Sequence, residues 1–261
     1  MSFLRELGNS GIRVSAIGLG TVKIGRNQGV KYPTGFALPE DAAVRDLLVQ
    51  AKTLGINLID TAPAYGNSEE RLGKLLTQRH DWVIVTKAGE EFDKGESHFD
   101  FSAKHIRFSV ERSLARLNTD YLDCVLLHSD GNDLSLLSQT EALPTLLRLK
   151  EQGLIRNVGL SGKTIEGGLE AFRLGADTAM VTLNLSQQAE LPVIAAAQQQ
   201  GKGILIKKAF ASGHLDASLA DPVSASLALS LNTSGVSSII AGTINPAHLA
   251  ENVAKARALT D

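Results

Sequence analysis

Helical patterns alternate with short apolar runs along almost the whole chain, and this alternation constrains the fold more than any other feature. In residues 44–54, apolar side chains recur at helical spacing, Gly55 follows where helices commonly end, and a strand-like apolar run comes next. The same order returns in residues 146–160, 165–183 and 190–206. Because parallel strands must be joined by a crossover, usually a helix, the alternation predicts a parallel α/β fold.

The number of repeats favours a closed barrel over an open sheet. With Ala16–Leu19 at the front and Val236–Ala241 at the back, about eight strand-like runs fit in 261 residues, the size of a (β/α)8 TIM barrel. A doubly wound open sheet is the competing architecture. The run Gly18–Lys23 argues against it, since Lys23 stands where the third glycine of a dinucleotide-binding fingerprint belongs.

The sequence also predicts how the ends and loops of the barrel are arranged. We expect residues 1–261 to form a single domain, because no linker or low-complexity tract interrupts them. Two short apolar runs in residues 3–14 predict an N-terminal β-hairpin that plugs the bottom of the barrel. Residues 88–100 are expected to form the longest polar loop, beside the substrate mouth. Since the chain ends at Asp261, soon after the last helical pattern, no long C-terminal loop is expected there.

Composition and charge predict a soluble cytoplasmic protein. Lys and Arg total 26 against 28 Asp and Glu, and without a basic stripe nucleic acid is not an expected partner. Cys124 is the single cysteine, so no internal disulfide can form, which is typical of a reducing compartment. The charged start of the chain is unlike a signal peptide. Residues 222–250 carry no charged side chain, but their Ser, Thr, Asn and Gly predict a helix, a strand and a loop rather than a membrane span. No obligate protein partner is evident.

Four polar residues follow strand-like runs closely enough to suggest an active site. Asp60, Tyr65, Lys87 and His128 come at or just after the ends of apolar runs, where parallel barrels place their catalytic groups. A site that reduces a carbonyl needs an acid to protonate the forming alkoxide. The ordinary pKa of a tyrosine is about 10, and we expect Lys87, held by Asp60, to lower it. His128 would orient the substrate oxygen by a hydrogen bond.

Each of these residues alone has a simpler explanation. Asp60 can cap a turn, Tyr65 can pack on the rim of the barrel, Lys87 can be solvated, and His128 can be structural. Two other functions therefore stay open. One is a Schiff-base lyase in which Lys87 attacks a carbonyl. The other is a non-catalytic barrel that binds a nicotinamide cofactor and acts as a sensor subunit.

Along nearly its whole length the chain resembles the aldo-keto reductases. The segments that carry the resemblance are Gly18–Thr21, Gly55–Gly66, Glu69–Gly73, Val85–Lys87, Leu117–Asp123, Leu126–His128, Ile155–Ser161 and Glu251–Asn252. The resemblance implies a TIM barrel that reduces an aldehyde or a ketone to an alcohol. It also implies that Tyr65 is the proton donor, that Asp60 and Lys87 tune it, and that His128 orients the carbonyl. The hydride donor would be a nicotinamide cofactor, usually NADPH.

By the same resemblance, the cofactor would contact residues from several loops. They are Thr21, Ser161, Gly162, Asn184, Lys207, Phe210, Ala211, Ser212, Gly213, Gly242, Thr243, Ile244, His248, Glu251 and Asn252. Gly162, Met180 and Lys207 replace an asparagine, a glutamine and a tyrosine that are usual in the family. Gly242 and His248 stand where a lysine and an arginine are common in the family, and these replacements should weaken the binding of a 2′-phosphate. We expect NADPH as the cofactor, with NADH as the alternative.

Overall fold

Eight parallel strands close into a barrel in a computed structural model that describes residues 2–215 and 218–260. In order around the barrel they are β3 (Ile17–Gly20), β4 (Leu58–Asp60), β5 (Val83–Ala88), β8 (Cys124–His128), β9 (Val158–Ser161), β10 (Thr178–Thr182), β11 (Gly203–Lys207) and β12 (Ser238–Ala241). β12 pairs with β3 and closes the ring. The predicted (β/α)8 barrel is confirmed, and the alternative of an open sheet is wrong.

Helices pack around the outside of the barrel. They are α1 (Val22–Gly25), α2 (Asp41–Thr53), α3 (Ser68–Leu75), α4 (Ala103–Arg116), α5 (Asp133–Gln139), α6 (Ala142–Glu151), α7 (Ile165–Arg173), α8 (Leu191–Gln200), α9 (Pro222–Asn232) and α10 (Pro246–Thr260). The apolar face of α2 illustrates how they pack, because Val44, Leu47, Leu48 and Ala51 recur at helical spacing and all are buried. Within residues 2–215 and 218–260, no helix combines the length and the apolar character that crossing a bilayer needs.

An antiparallel hairpin closes the N-terminal end of the barrel, as the sequence predicts. It consists of β1 (Leu4–Glu6) and β2 (Arg13–Ser15). Leu7, Ile12 and Val14 are buried in one cluster with the first residues of β4 and β5, which begin at the bottom of the barrel. The hairpin therefore fills the lower opening with apolar side chains and leaves the upper end, where the strands terminate, as the accessible mouth.

Residues 88–100, which the sequence predicts as the longest polar loop, contain a second hairpin. The strands β6 (Glu90–Asp93) and β7 (Glu96–Phe99) pair in antiparallel register. Their two-residue turn places Lys94 at φ 50° and Gly95 at φ 91°, the left-handed geometry that tight hairpin turns require. The sequence did not reveal the hairpin, because the segment is mostly polar and shows no apolar alternation. The hairpin places the strand β6, which begins at Glu90, directly beside the mouth of the barrel.

Candidate active site

Asp60 and Lys87 form a buried ion pair at the mouth of the barrel. They lie at the ends of neighbouring strands β4 and β5, and their exposed fractions are 3% and 1%. The Lys87 Nζ donates to Asp60 Oδ1 over 2.5 Å and to the carbonyl oxygen of Thr61 over 2.9 Å. Burial alone would lower the pKa of Lys87, but the Asp60 carboxylate outweighs it and the pKa is raised. Lys87 is therefore a fixed ammonium group.

Tyr65 extends from the turn after β4 and lies against this ion pair. Its hydroxyl is 3.5 Å from Asp60 Oδ2, and the Lys87 Nζ is 4.7 Å from the centre of its ring. Burial, followed by the Asp60 carboxylate, raises the pKa of Tyr65, whereas Lys87 acts in the opposite direction. The expectation of a net lowering is wrong, because the ammonium offsets only part of the effect of burial. The phenol consequently keeps its proton at neutral pH.

His128 ends β8 on the other side of the same opening. Its ring centre is 6.3 Å from that of Tyr65, with the two planes at 81°. Its Nδ1 lies 2.6 Å from Glu90 Oε2, a contact that sequence spacing did not reveal. Burial lowers the pKa of His128, while Glu90 opposes that effect and the ammonium of Lys87 adds to it. The four residues predicted from strand ends are thus brought together.

One cavity of about 1110 Å³ contains these four side chains and extends to the start of α10. Among the predicted cofactor residues, those that line it are Thr21, Ser161, Lys207, Phe210, Ser212, Gly213, Gly242, Thr243, His248, Glu251 and Asn252. Gly162, Asn184, Ala211 and Ile244 are described but are not part of its lining. The Asn184 amide instead donates to the Lys208 carbonyl oxygen and the Gln187 side chain, so it holds a loop in place.

Asp133 explains why glycine occupies position 162. Its carboxylate accepts hydrogen bonds from the backbone N–H groups of Lys163 and Thr164, both over 2.8 Å, and so holds the loop after β9. A Cβ atom at Gly162 would lie 2.9 Å from Asp133 Oδ2, closer than ordinary packing allows. The loop that follows Ser161 is therefore built around a carboxylate, which leaves no room for a side chain at position 162.

Lys207 places a second ammonium group in the cavity. Its Nζ donates to Ser161 Oγ over 3.2 Å and to the carbonyl oxygen of Gly162. Burial lowers the pKa of Lys207 from 10.5 to about 8, although the Glu190 carboxylate opposes the effect. The barrel thus holds one lysine, Lys87, that is firmly charged and another whose charge is partly lost above neutral pH.

The loop after β11 has a strained backbone. Lys208, Ala211 and Ser212 adopt φ angles of 55°, 46° and 57°, in the left-handed region that favours glycine. Non-glycine residues in this region cost energy and occur preferentially at ligand-binding segments. The strain therefore supports a binding role for this part of the cavity wall.

A segment between β3 and α2 reaches across the cavity from the opposite side. A Cβ built on Gly242 would lie 3.0 Å from the Tyr32 hydroxyl, and one built on Gly213 would lie 3.2 Å from Pro33. The Lys23 ammonium lies over the ring of Tyr32, 3.9 Å from its centre. Sequence reasoning missed Tyr32, since nothing in a polar, glycine-containing stretch indicates which residue turns toward the mouth.

The two ends of the cavity offer groups that can hold a nicotinamide dinucleotide. Thr21, Ser161 and Lys207 lie at the barrel end, and His248 and Asn252 lie at the start of α10. Asn252 is 9% exposed, and it lines the cavity. Its side-chain amide can donate and accept hydrogen bonds, so it is a candidate contact for a ligand in the cavity.

Comparison with known proteins agrees with this geometry. Residues 16–226 match the family model of the Aldo/keto reductase family. The chain belongs to this family. A solved aldo-keto reductase-type protein from Pseudomonas aeruginosa is 56% identical, with a TM-score of 0.90, and the match covers 99% of this chain and 95% of that one. A holo aldo-keto reductase from Bacillus halodurans shares the fold at 23% identity and a TM-score of 0.80, over 98% and 91% of the two chains.

Curated relatives in the aldo-keto reductase family match over shorter stretches. L-galactose dehydrogenase from Arabidopsis thaliana is 39% identical over 171 residues, 62% of this chain and 49% of the relative. The NADH-specific methylglyoxal reductase of Escherichia coli is 34% identical over 167 residues, 59% and 50% of the two chains. D-threo-aldose 1-dehydrogenase from Pseudomonas sp. is 30% identical over 236 residues, 79% and 69%. The chain spans about half the length of most curated relatives it matches, including the first two of these.

Proposed function

We propose that the protein is an NAD(P)H-dependent reductase that converts an aldehyde or a ketone to an alcohol. The observation that carries this proposal is the grouping of Tyr65 and His128 around the Lys87–Asp60 ion pair in one cavity. An unreactive barrel has no need of a buried ion pair beside a phenol and an imidazole, because burying charge costs stability. Membership of the aldo-keto reductase family supports the same activity.

In this proposal, Tyr65 gives its proton to the oxygen of the reduced substrate. A phenol that is protonated at neutral pH suits this role, and the Lys87 ammonium stabilises the phenolate left behind. Asp60 keeps Lys87 charged and in place. His128 positions the carbonyl oxygen near the Tyr65 hydroxyl. A bound nicotinamide cofactor would supply the hydride.

NADPH is the cofactor we propose first, with NADH as the alternative. Thr21, Ser161 and Lys207 would hold the nicotinamide end, and Thr243 and His248 the adenosine end. A histidine at position 248 should bind a 2′-phosphate more weakly than an arginine would, because it lacks the permanent charge and the two parallel N–H donors of a guanidinium group. The Escherichia coli relative is named as an NADH-specific methylglyoxal reductase, which supports NADH as the alternative cofactor.

Small aldehydes and sugars are the substrates to test first. The names of the relatives include two sugar dehydrogenases and a methylglyoxal reductase. We also propose that the chain acts as a single cytoplasmic domain without an obligate partner. Cell fractionation and gel filtration test that statement, and a stable complex with another protein would contradict it.

The Schiff-base lyase alternative is disfavoured by the state of Lys87. A lysine must lose its proton to attack a carbonyl, yet Lys87 is held at 2.5 Å by Asp60 and its pKa is raised. A sensor barrel that only binds the cofactor differs from a reductase in a measurable way, because it shows binding without turnover.

The test is a fluorescence titration with NADPH and with NADH, followed by turnover measurements on a panel of aldehydes, ketones and sugars. We expect saturable cofactor binding and oxidation of the cofactor by at least one carbonyl. Tight binding with no turnover across the panel would favour the sensor, and borohydride trapping of a carbonyl without cofactor binding would favour the lyase.

A further inference from the structure

Arg26 is a half-buried arginine near the active site that the mechanism above does not use. It follows α1 directly, and its guanidinium group donates to three backbone carbonyl oxygens. Nε donates to Gln28 over 2.8 Å and Nη2 to Gly29 over 3.1 Å, so the loop after α1 folds around the guanidinium group. Nη1 donates to Ala64 over 3.0 Å and thereby reaches another segment, the turn after β4 that carries Tyr65.

The hydrogen bond to Ala64 restrains the peptide group that precedes Tyr65. The carbonyl oxygen of Ala64 and the N–H of Tyr65 belong to one planar peptide unit. The N–H donates to the carbonyl oxygen of Ala62 over 3.0 Å, while the carbonyl oxygen accepts from Arg26, so the unit is held at both polar ends. Because this plane helps to set the direction in which the side chain leaves the backbone, Arg26 restrains the place of the Tyr65 hydroxyl.

The end of α1 packs directly on the same turn. A Cβ built on Gly25 would lie 2.1 Å from the Tyr65 carbonyl oxygen and 2.4 Å from the Ser68 nitrogen, so only a glycine fits there. Gly25 and Arg26 therefore restrain the peptide groups on the two sides of Tyr65. One contact is made by the backbone at the Tyr65 carbonyl oxygen and the other by a side chain at the carbonyl oxygen before it.

The flat face of the Arg26 guanidinium group meets the second hairpin. Its central carbon lies 3.3 Å from the ring centre of Phe92 on β6. Gly29 leaves room for this contact, since its Cβ would lie 2.9 Å from Arg26 Nη2 and 3.3 Å from the Phe92 ring. The strand β6 begins at Glu90, whose Oε2 lies 2.6 Å from His128 Nδ1. Arg26 therefore links the turn after β4 to the strand that contacts His128.

An arginine suits this link better than a lysine would. Burial lowers the pKa of Arg26, while the charges of Glu90 and Tyr65 oppose the effect. A guanidinium group stays charged at any working pH, and it offers donors in several directions together with a planar face. An ammonium group has its donors around a single nitrogen and has no plane to lay on a ring, so a lysine would keep the charge and lose most of the contacts.

We propose that Arg26 is a positioning residue that sets the spacing of the Tyr65 hydroxyl and His128 by joining the turn after β4 to β6. This inference rests on the proposed reductase function. Both side chains must reach the oxygen of one substrate, and their ring centres are 6.3 Å apart. Arg26 is not part of the cavity lining, so it acts through Tyr65 and β6 and not by contact with the substrate. A displacement of about 1 Å in such a geometry can lower a rate about 10²-fold.

The first test is hydrogen–deuterium exchange in Arg26→Lys, which needs neither cofactor nor turnover. Amides in residues 62–68 and 90–93 should exchange about tenfold faster or more, because local opening no longer breaks hydrogen bonds from a charged donor. The barrel strands should exchange as they do in the unaltered protein. Unchanged exchange in either segment would overturn the inference, since the link must loosen at both of its ends.

The matched control is Arg257→Lys. Arg257 Nη2 donates to the carbonyl oxygen of Leu54 over 3.1 Å, and the guanidinium carbon lies 4.1 Å from the ring centre of Phe3. The variant therefore loses a similar donor and a similar ring contact at residues that do not line the cavity. Exchange in residues 62–68 and 90–93 should stay as it is, and equal loosening by both variants would overturn the inference.

The second test compares the single-turnover rate of cofactor oxidation with the affinity for the cofactor. In Arg26→Lys the rate should fall by about 10- to 100-fold, while the dissociation constant of NADPH changes by less than about twofold. Phe92→Leu removes the ring and no donor, and it should also lower the rate. Combined with Arg26→Lys it should lower the rate little further, because both changes break one link.

The outcomes separate this inference from the proposed function. If the protein turns over no carbonyl, the proposed function fails while the exchange result still decides whether Arg26 joins the two segments. If turnover occurs and Arg26→Lys leaves its rate unchanged, the role of Arg26 fails alone. A fall in rate that is matched by an equal loss of NADPH affinity would also overturn that role, because it would show a general loss of structure.

Discussion

Replacing Lys87 by methionine should destabilise the protein far more than the removal of a surface lysine. The substitution keeps an unbranched apolar chain one atom shorter than lysine, and it leaves the Asp60 carboxylate, whose side chain is 4% exposed, without its partner. It also removes the donor to the Thr61 carbonyl oxygen. Breaking a buried pair on one side costs about 3–5 kcal/mol, which for a chain of this size corresponds to a fall of about 6–20 °C in the melting temperature.

The matched control is Lys52→Met. The Lys52 Nζ lies 2.6 Å from Asp81 Oδ2, but these side chains are 39% and 52% exposed, so water replaces the lost partner. Exposed pairs contribute about 0.2–1 kcal/mol. The distances in the two pairs are nearly equal, and the comparison therefore isolates burial as the cause of any difference.

Urea denaturation measures the loss of unfolding free energy in Lys87→Met and in Lys52→Met, provided that the slope of this free energy against urea concentration is the same in each variant. The double variant Asp60→Asn with Lys87→Met removes both buried charges and should recover most of the stability without recovering turnover. If Lys87→Met loses no more stability than Lys52→Met, the view of Asp60 and Lys87 as a buried, mutually dependent pair is refuted.

Three further outcomes are expected. His248→Arg should raise the preference for NADPH over NADH by about tenfold in kcat/KM, since an added charged hydrogen bond is worth about 1.5 kcal/mol or more; no change would place the 2′-phosphate elsewhere. Gly162→Asn should cost about 1–3 kcal/mol of unfolding free energy, because its Cβ approaches Asp133, and equal stability would contradict this. Between pH 8 and 10.5 the free energy of unfolding of the unaltered protein should rise with pH, because the unfolded chain keeps a proton that the folded Lys207 has lost. Lys207→Met should remove this rise, and an unaltered pH profile of stability would count against the lowered pKa of Lys207.

The sequence predicted the barrel well because its signal is repeated. Helical spacing, a glycine and an apolar run recur along the chain, and each repeat reinforces the same parallel topology. The strand-end residues Asp60, Lys87 and His128 could be placed for the same reason, since the direction of a strand decides which end of the barrel its last side chain occupies. Tyr65 followed from its position close behind Asp60.

Contacts between segments that are distant in sequence could not be predicted in this way. The approach of Glu90 to His128 depends on a hairpin whose polar strands carry no apolar alternation. The pKa of Tyr65 depends on how deeply the phenol is buried, and the presence of a nearby lysine says nothing about that depth. The fit of Gly162 against Asp133 likewise becomes visible only when the loops are in place.

The most direct test of the proposed mechanism is the turnover of Tyr65→Phe, measured beside its affinity for NADPH. This change removes one hydroxyl and keeps the ring that packs against Lys87. We predict that kcat for carbonyl reduction falls by about 10² to 10⁴ while the dissociation constant of NADPH changes by less than about twofold. Turnover equal to that of the unaltered protein would contradict the assignment of Tyr65 as the proton donor.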